Sequence, residues 1–259
     1  MVSPQVSPPV LRIADVADEA ILLAGGARAI LLQLANPAVG RGVAEHSDFA
    51  NRPLDRLRGT LTYLYVIVYG TPEESALVAR RVGATHESVR GAGYDARDEG
   101  LQLWVAATLY ETAMRVHELV LGPLSAANAE SLLAGYAIVG TALGVPASAW
   151  PVDRAAFTEY WQRSEANLRV DDSAQRVARE LLYSRRGPWW LTLAMPTIRV
   201  VTAGLLPTDL RIAYGLPLDS ARYARLVRVV RAIYPRLPRA IRQWPRRHYL
   251  RTFRQGLIG

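Results

Sequence analysis

Apolar residues recur at steps of three and four along most of the chain, and convincing runs of strict alternation between turn signals are lacking. Steps of three and four place side chains on one face of an α-helix, whereas a half-buried strand needs alternation. The pattern therefore predicts an all-α fold, with roughly ten helices of ordinary length. A chain of 259 residues, half of them apolar, can bury a sizeable core.

The domain organisation follows from the even composition of the chain. No internal repeat, low-complexity tract or change in composition requires a domain boundary. We expect a disordered N-terminus over residues 1–12 and a single helical domain over residues 13–259, whose last section, about residues 220–259, is basic and helical. The first ten residues contain Ser and Pro but no Arg-flanked apolar core. They do not resemble a signal peptide, so a cytoplasmic protein is expected.

The basic charge of the chain comes entirely from arginine. There are 31 arginines and no lysine against 23 acidic residues, which excludes catalysis by a lysine base or Schiff base. In residues 220–259 the arginines have Asp219 as their only acidic neighbour. This section is either a solvated helix face with packed arginine stems or a docking site for an anionic membrane surface. Nucleic acid is not expected, because no zinc finger, RNP-like strand or Arg-Gly-rich segment accompanies the charge.

The longest apolar segment, residues 189–206, is interrupted by Pro196 and Arg199. Both residues would be costly in a lipid-exposed single span. We therefore expect a buried helix pair, with shallow insertion into a membrane interface as the alternative.

The metal chemistry open to this chain is narrow. It contains no cysteine, which excludes disulfides, iron–sulfur clusters and thiolate-ligated haem. Its four histidines are His46, His86, His117 and His248, and no close pair has the spacing of a zinc or di-iron site. A single axial histidine fits this scarcity better than a histidine cluster.

A helix over the RLRGT segment at residues 56–60 would place Arg56 and Thr60 one turn apart on one face. Arg56, or Arg58, can pair with a haem propionate or stabilise a reduced oxygen species, and Thr60 can hydrogen-bond bound dioxygen. His86 can ligate haem iron. The alternatives are a surface arginine, a threonine bonded to its own helix backbone, and a histidine used for packing or capping.

Three further residues are candidates for the same site. His46 stands among polar residues, Glu45, Ser47 and Asp48, and is either a distal acid/base group or part of a capping cluster. Tyr63 and Trp104 can wall a flat aromatic cofactor, although buried helices contain such residues routinely. His117 and His248 are expected to be structural or solvated.

Several segments together resemble the MpaB-type oxygenase family, which includes the latex clearing protein, a rubber oxygenase. They are LLQLANP at 31–37, GVAEHSDF at 42–49, RLRGT at 56–60 and YGT at 69–71, followed in order by 82–91 with His86, YDA at 94–96, LWVAATL at 103–109 and GVP at 144–146. The resemblance implies an all-helical fold, related to a globin-like core, with one haem b. It matches His86 to the proximal iron ligand, and Arg56 and Thr60 to the pocket arginine and threonine.

Two departures from the family pattern lie at the implied site. Rubber-cleaving members carry a lysine between that arginine and threonine, able to cap the iron, where this chain has Gly59. Many members carry a histidine in the helix where this chain has Ala106 and Ala107. Haem is expected to be retained, but rubber cleavage is not.

We therefore expect a haem b-dependent oxygenase that acts with dioxygen on a hydrophobic, isoprenoid or lipid-like small molecule. His86 would be the metal ligand; Arg56, Thr60 and His46 would be catalytic; Arg56, Tyr63 and Trp104 would also bind the cofactor. The alternative is a non-enzymatic haem- or lipid-binding protein that docks on a membrane or partner. A helical scaffold whose haem site has decayed is the third interpretation.

Overall fold

The computed structural model describes residues 10–46, 53–183 and 188–257, with side chains described from residue 57 onward in the second range. Over these residues the chain is built from α-helices and one short hairpin, which confirms the predicted all-α fold. Most of the predicted disordered N-terminus lies outside the described residues.

The described part of the chain holds fourteen α-helices. They are α1 (Ile13–Val16), α2 (Gly26–Leu34), α3 (Pro37–His46), α4 (Pro53–Tyr69), α5 (Pro72–Glu87), α6 (Glu99–Leu121), α7 (Ala126–Thr141), α8 (Arg154–Ala166), α9 (Asp172–Tyr183), α10 (Trp189–Leu205), α11 (Thr208–Ala213), α12 (Ser220–Ile233), α13 (Arg239–Arg242) and α14 (Trp244–Gln255). Short 3-10 helices cover Ala20–Gly25, Ala147–Ala149 and Tyr234–Arg236, and an antiparallel hairpin pairs β1 (Arg90–Gly91) with β2 (Tyr94–Asp95). The count exceeds the roughly ten predicted because short helices such as α1, α11 and α13 lack a full period of pattern.

Helix α6 is the central element of the fold. The Asp98 carboxylate caps its start by accepting a hydrogen bond from the backbone N–H of Leu101 at 2.9 Å. The helix packs against α2, α7, α12 and the 3-10 helix at Ala20–Gly25. Its side chains enter two apolar clusters, one with Tyr110 among α7 residues and one with Trp104 among α2 and α9 residues.

A buried arginine on α2 links this helix to α6 and α10. Arg28 is only 1% exposed; its guanidinium pairs with Glu111 and donates hydrogen bonds to Thr112 Oγ1 at 2.5 Å and to the Leu205 carbonyl at 2.8 Å. Each partner lies on α6 or α10, so the charge joins three helices. Loss of the Glu111 carboxylate would leave the Arg28 guanidinium buried without its ion-pair partner, which is strongly destabilising.

The basic C-terminal section packs onto the body of the domain through acids far away in sequence. Arg242 pairs with Glu19, Arg246 with Asp18 at 3.0 Å, and Arg254 with Glu74 at 2.7 Å. Burial works against ionisation of Glu19, but hydrogen bonds from Arg242 and Tyr234 lower its pKa overall. These three arginines of α13 and α14 are therefore used to hold the fold.

The apolar segment at residues 189–206 differs from its prediction. It forms one helix, α10, rather than a buried helix pair. Met195, Ala203 and Leu205 are buried, whereas Trp189 and Leu193 in its first two turns are exposed. The helix packs against α2, α9, α12 and the 3-10 helix at Ala20–Gly25, and these contacts cover only part of its surface.

Among the described residues, no single helix is long and apolar enough to cross a membrane. Two consecutive segments, Ala20–Leu34 and Pro37–His46, together have the length and apolar composition of a membrane span, but the chain bends by 106° between them. Much of α2 within this pair is buried inside the protein.

Candidate active site: a histidine-lined cavity

A cavity of about 480 Å³ lies between α3, α4, α5, α6 and the hairpin. This volume falls in the range of roughly 300–1,000 Å³ that small-molecule and cofactor sites occupy. Its wall is mainly aliphatic, and the described polar side chains on it are Gln33, His46, Thr60, Tyr63, Thr85, His86, Tyr94 and Gln102. A largely apolar wall with a few polar groups is typical of a ligand site.

Helix α5 brings His86 to the cavity wall. Its start is fixed by a capping box in which Thr71 Oγ1 accepts from the Glu74 N–H at 3.2 Å and Glu74 Oε2 accepts from the Thr71 N–H at 2.9 Å. Pro72 occupies the first helical position, where its missing N–H is not needed. From this start the helix runs to Glu87, so His86 stands in its last turn, half-buried beside the hairpin.

Helix α4, which packs against α5, contributes Gly59, Thr60 and Tyr63 to the wall. The Tyr63 hydroxyl donates a hydrogen bond to the Val139 carbonyl at 2.6 Å, which holds the ring in place. Burial raises the pKa of Tyr63, so its phenol stays neutral. A Cβ built on Gly59 would meet nothing within 4 Å, so this position borders open space.

A hydrogen-bonded chain borders the cavity at α3 and the hairpin. Tyr94 Oη donates to Glu45 Oε2 at 2.5 Å and lies 2.8 Å from His46 Nε2. Because the Tyr94 hydroxyl has one hydrogen, which goes to Glu45, it accepts from His46, and Nε2 carries a proton. The hydrogen bond to Glu45, together with burial, raises the pKa of Tyr94. Glycine at Gly42 permits this packing, since a Cβ there would lie 3.1 Å from the Tyr94 ring.

Comparison with known proteins assigns the domain that carries this cavity. The family described as "ER-bound oxygenase mpaB/B'/Rubber oxygenase, catalytic domain" matches residues 14–232. The chain belongs to this family. The family resemblance noted in the sequence is thereby confirmed, and the cavity lies inside an oxygenase catalytic domain.

Two further proteins are similar to this chain over most of their length. They are "Uncharacterized protein Mb2261" of Mycobacterium bovis and "Uncharacterized protein Rv2237" of Mycobacterium tuberculosis. Each is 37% identical over 206 residues, which cover 76% of this chain and 81% of the relative. No solved structure matches the chain.

Four of the six site residues predicted from the sequence line the cavity: His46, Thr60, Tyr63 and His86. Arg56 lies within α4, but its side chain is outside the described residues, as are Ser47 and Asp48 beside His46.

Trp104 is not on the cavity wall and instead packs against Trp161, with ring centroids 5.2 Å apart. Each residue turns a helix by about 100°, so Val105 and Ala106 face the cavity while their neighbour Trp104 points into the adjacent cluster.

Sequence reasoning had not selected Tyr94, Gln33 or Gln102. Gln33 Nε2 donates to Thr108 Oγ1 at 3.0 Å, and Gln102 Nε2 donates to the Ala96 carbonyl at 3.0 Å, so both side chains are held in place. The only sequence signal for Tyr94 was its place in the YDA segment of the family resemblance. Its pairing with His46 depends on a contact 48 residues apart, which no local pattern reveals.

A second, smaller cavity of about 110 Å³ adjoins the first. The two share Gln33, Thr60, Leu109 and Val139, so Thr60 stands where they meet. Most other residues around the smaller cavity are aliphatic, such as Leu22, Ile30, Leu57, Leu61, Leu64 and Val68. The polar-edged cavity thus opens beside an apolar recess.

No group of three or more His, Cys, Asp and Glu side chains that could hold a metal ion occurs among the described residues. His86 can supply one ligand, and a metal held there would need its other ligands from elsewhere. A porphyrin supplies four nitrogen ligands to its own iron, so the protein needs to supply only an axial ligand.

Proposed function

We propose that this protein is a haem b-dependent oxygenase that acts with dioxygen on a hydrophobic, isoprenoid or lipid-like small molecule. The observation that carries the proposal is the cavity of about 480 Å³ in an oxygenase catalytic domain, with His86 on one wall and Thr60 on another.

The residues around the cavity fit a haem. The imidazole of His86 can be its axial ligand, the aliphatic walls suit the porphyrin faces, and Tyr63 is a fixed part of the wall. Gly59 and Ala106 occupy little space on the cavity wall. By the family resemblance, rubber-cleaving members carry a lysine at the first position, and many members carry a histidine near the second. When bound, haem would supply the iron that activates dioxygen.

The polar side chains on the wall can assist by hydrogen bonding and proton transfer. The Thr60 hydroxyl can donate a hydrogen bond into the cavity. His46 donates its Nε2 proton to the Tyr94 hydroxyl, which donates in turn to Glu45, so Nδ1 is the ring nitrogen left to accept a proton or a hydrogen bond. Arg56, from its match to the family's pocket arginine, would pair with a propionate or orient the oxygen species.

The apolar recess supports the assignment of a hydrophobic substrate. An aliphatic group placed there gains roughly 25 cal/mol for each Å² of apolar surface removed from water. Thr60, shared by both cavities, would lie between this group and the haem side of the site. The recess would hold part of the substrate and present the rest to the larger cavity.

Oxygen uptake by haemin-reconstituted protein tests the proposal. With farnesol or geranylgeraniol as substrate, we expect haemin-dependent oxygen consumption and an oxygenated product by mass spectrometry. Thr60→Ala should slow turnover about tenfold or more at unchanged haem content, since it removes one hydrogen-bond donor from the site. Haem binding without oxygen uptake across isoprenoids and fatty acids would contradict the enzyme and favour a haem-binding protein.

A further inference from the structure

The start of α10 exposes an unusual apolar surface. Trp189 is 75% exposed, Trp190 52% and Leu193 71%. Trp189, Leu193 and Thr197 follow one another at steps of four, so they share one face of the helix. Single exposed apolar residues are ordinary, but large ones that adjoin usually mark an interaction surface.

Helix α12 continues this surface. Arg222 Nη2 lies 3.5 Å from Thr197 Oγ1, so the first turn of α12 meets the exposed face of α10. Val229 and Ile233 stand seven and eleven residues after Arg222, on the same side of α12, and are 48% and 54% exposed.

The two helices are packed closely where they meet. A Cβ built on Gly204 of α10 would lie 2.4 Å from the Tyr223 ring of α12, so glycine is needed for this approach. The exposed apolar side chains of α10 and α12 are therefore carried by two helices that pack together, and we define them with Arg222 as the α10–α12 face: Trp189, Trp190, Leu193, Arg222, Val229 and Ile233.

The charge carried by α12 itself is of one sign. Helix α12 carries Arg222, Arg225, Arg228 and Arg231 and no acidic residue. All four are exposed, in contrast to Arg242, Arg246 and Arg254, which pair with acids of the protein body. An occupant of the face must therefore combine apolar material with negative charge.

We propose that the α10–α12 face docks on the surface of a bilayer that contains anionic phospholipids. Tryptophan side chains favour the headgroup level, where an apolar ring can stay close to water. Leu193, Val229 and Ile233 would reach the boundary of the acyl chains, and the arginines of α12 would pair with lipid phosphates. In this proposal α10 and α12 contact the membrane, whereas the arginines of α14 pair with acidic residues of the protein body. The inference does not depend on the proposed oxygenase reaction.

Vesicle flotation of the full chain tests the proposal. Vesicles would contain phosphatidylcholine with about 30% phosphatidylglycerol, or phosphatidylcholine alone. We expect the wild-type protein to float with the anionic vesicles and at least about tenfold less with the neutral ones. Its tryptophan emission should shift to the blue on binding, because Trp189 and Trp190 leave water.

Two variants and two matched controls locate the contact. W189S/L193S should weaken binding about tenfold or more, whereas W244S, which removes an exposed tryptophan of α14, should leave it within about twofold. R225E/R228E should weaken binding about 25-fold, a factor of about five for each basic residue lost. R80E/R163E makes the same charge change at exposed sites on α5 and α8 and should have much less effect.

Circular dichroism of each variant would show that it is folded before flotation is scored. Absence of flotation by the folded wild-type protein would overturn the proposal. So would W189S/L193S that floats like wild type, or W244S that fails to float. A dimer of the wild type in light scattering that W189S/L193S abolishes, without lipid binding, would assign the face to self-association instead.

Discussion

Helix α6 presents two contrasting faces. On one, Trp104 packs against Trp161 in a cluster where Leu31, Leu32 and Leu182 are fully buried. On the other, Val105, Ala106 and Leu109 border a cavity of about 480 Å³. Protein cores normally contain few voids larger than a water molecule. The same helix is tightly packed at Trp104, one residue before the cavity wall begins. The cavity therefore results from the side chains that α6 presents on this face and not from a break in the helix.

The largest effect should come from matched truncations on the two sides. Leu32→Ala in the packed cluster should lower the free energy of unfolding by about 2–5 kcal/mol, because its surroundings cannot collapse fully. Leu143→Ala, on the cavity wall and already half-buried, should cost about 1 kcal/mol or less. Guanidinium unfolding curves measure both. Equal losses would contradict the distinction between the faces.

Adding bulk should likewise cost more stability on the packed side than on the cavity wall. Ala107→Leu enters the packed interior at a fully buried site and should destabilise by about 1–3 kcal/mol. Ala106→Leu, its neighbour on the cavity wall, should cost about 1 kcal/mol or less but weaken haemin binding about tenfold by filling the cavity. Haemin titration with thermal melts checks the pair. If A106L bound haemin like wild type, this wall would not border the cofactor.

The structure follows the sequence prediction where local pattern decides and departs from it where distant contacts decide. Helical spacing predicted the all-α fold. The family resemblance matched His86 and Thr60, and the aromatic residues of α4 suggested Tyr63; these three side chains share one cavity. The spacing pattern did not predict the rotation of α6, which turns Trp104 away from this cavity and toward Trp161.

Ion-pair partners that are distant in sequence could not be predicted either. Arg28 meets Glu111 and Arg242 meets Glu19, the second across 223 residues, and charge alone does not name a partner at that separation. The exposed start of α10 agrees with the alternative of shallow insertion rather than with the buried helix pair that was expected, because an apolar segment is buried only if another element covers it.

Gly59→Lys tests whether residue 59 borders the cavity, and its expected effect on stability is smaller than that of the truncations. Glycine inside a helix costs about 0.5–1 kcal/mol, and a side chain at this position meets open space, so the variant should be more stable by up to that amount. The lysine should reach into the cavity and weaken cyanide binding to the haemin-loaded protein about tenfold. A destabilised variant, or one with unchanged cyanide affinity, would show that Gly59 does not border the haem.

The smallest effect concerns His117, farther along α6. Burial lowers its pKa from the ordinary value of 6.5, against the opposing influence of Glu19. Because the unfolded chain binds the proton more readily, stability should fall as pH drops below about 6.5, by no more than about 1.4 kcal/mol per pH unit. His117→Gln should reduce that slope in unfolding curves between about pH 7.5 and about pH 5. An unchanged slope would assign the pH dependence to other groups.

The most direct measurement of the central claim is a haemin titration, followed at the Soret band, of the wild-type chain and four variants, each with one histidine changed to alanine. The wild type and the variants at His46, His117 and His248 should bind one haem with similar spectra. His86→Ala should lose the wild-type Soret band and bind more weakly by more than the roughly 10–100-fold that loss of an outer hydrogen-bond partner costs. A His86→Ala protein with the wild-type spectrum and affinity would contradict the claim that this cavity holds haem on that residue.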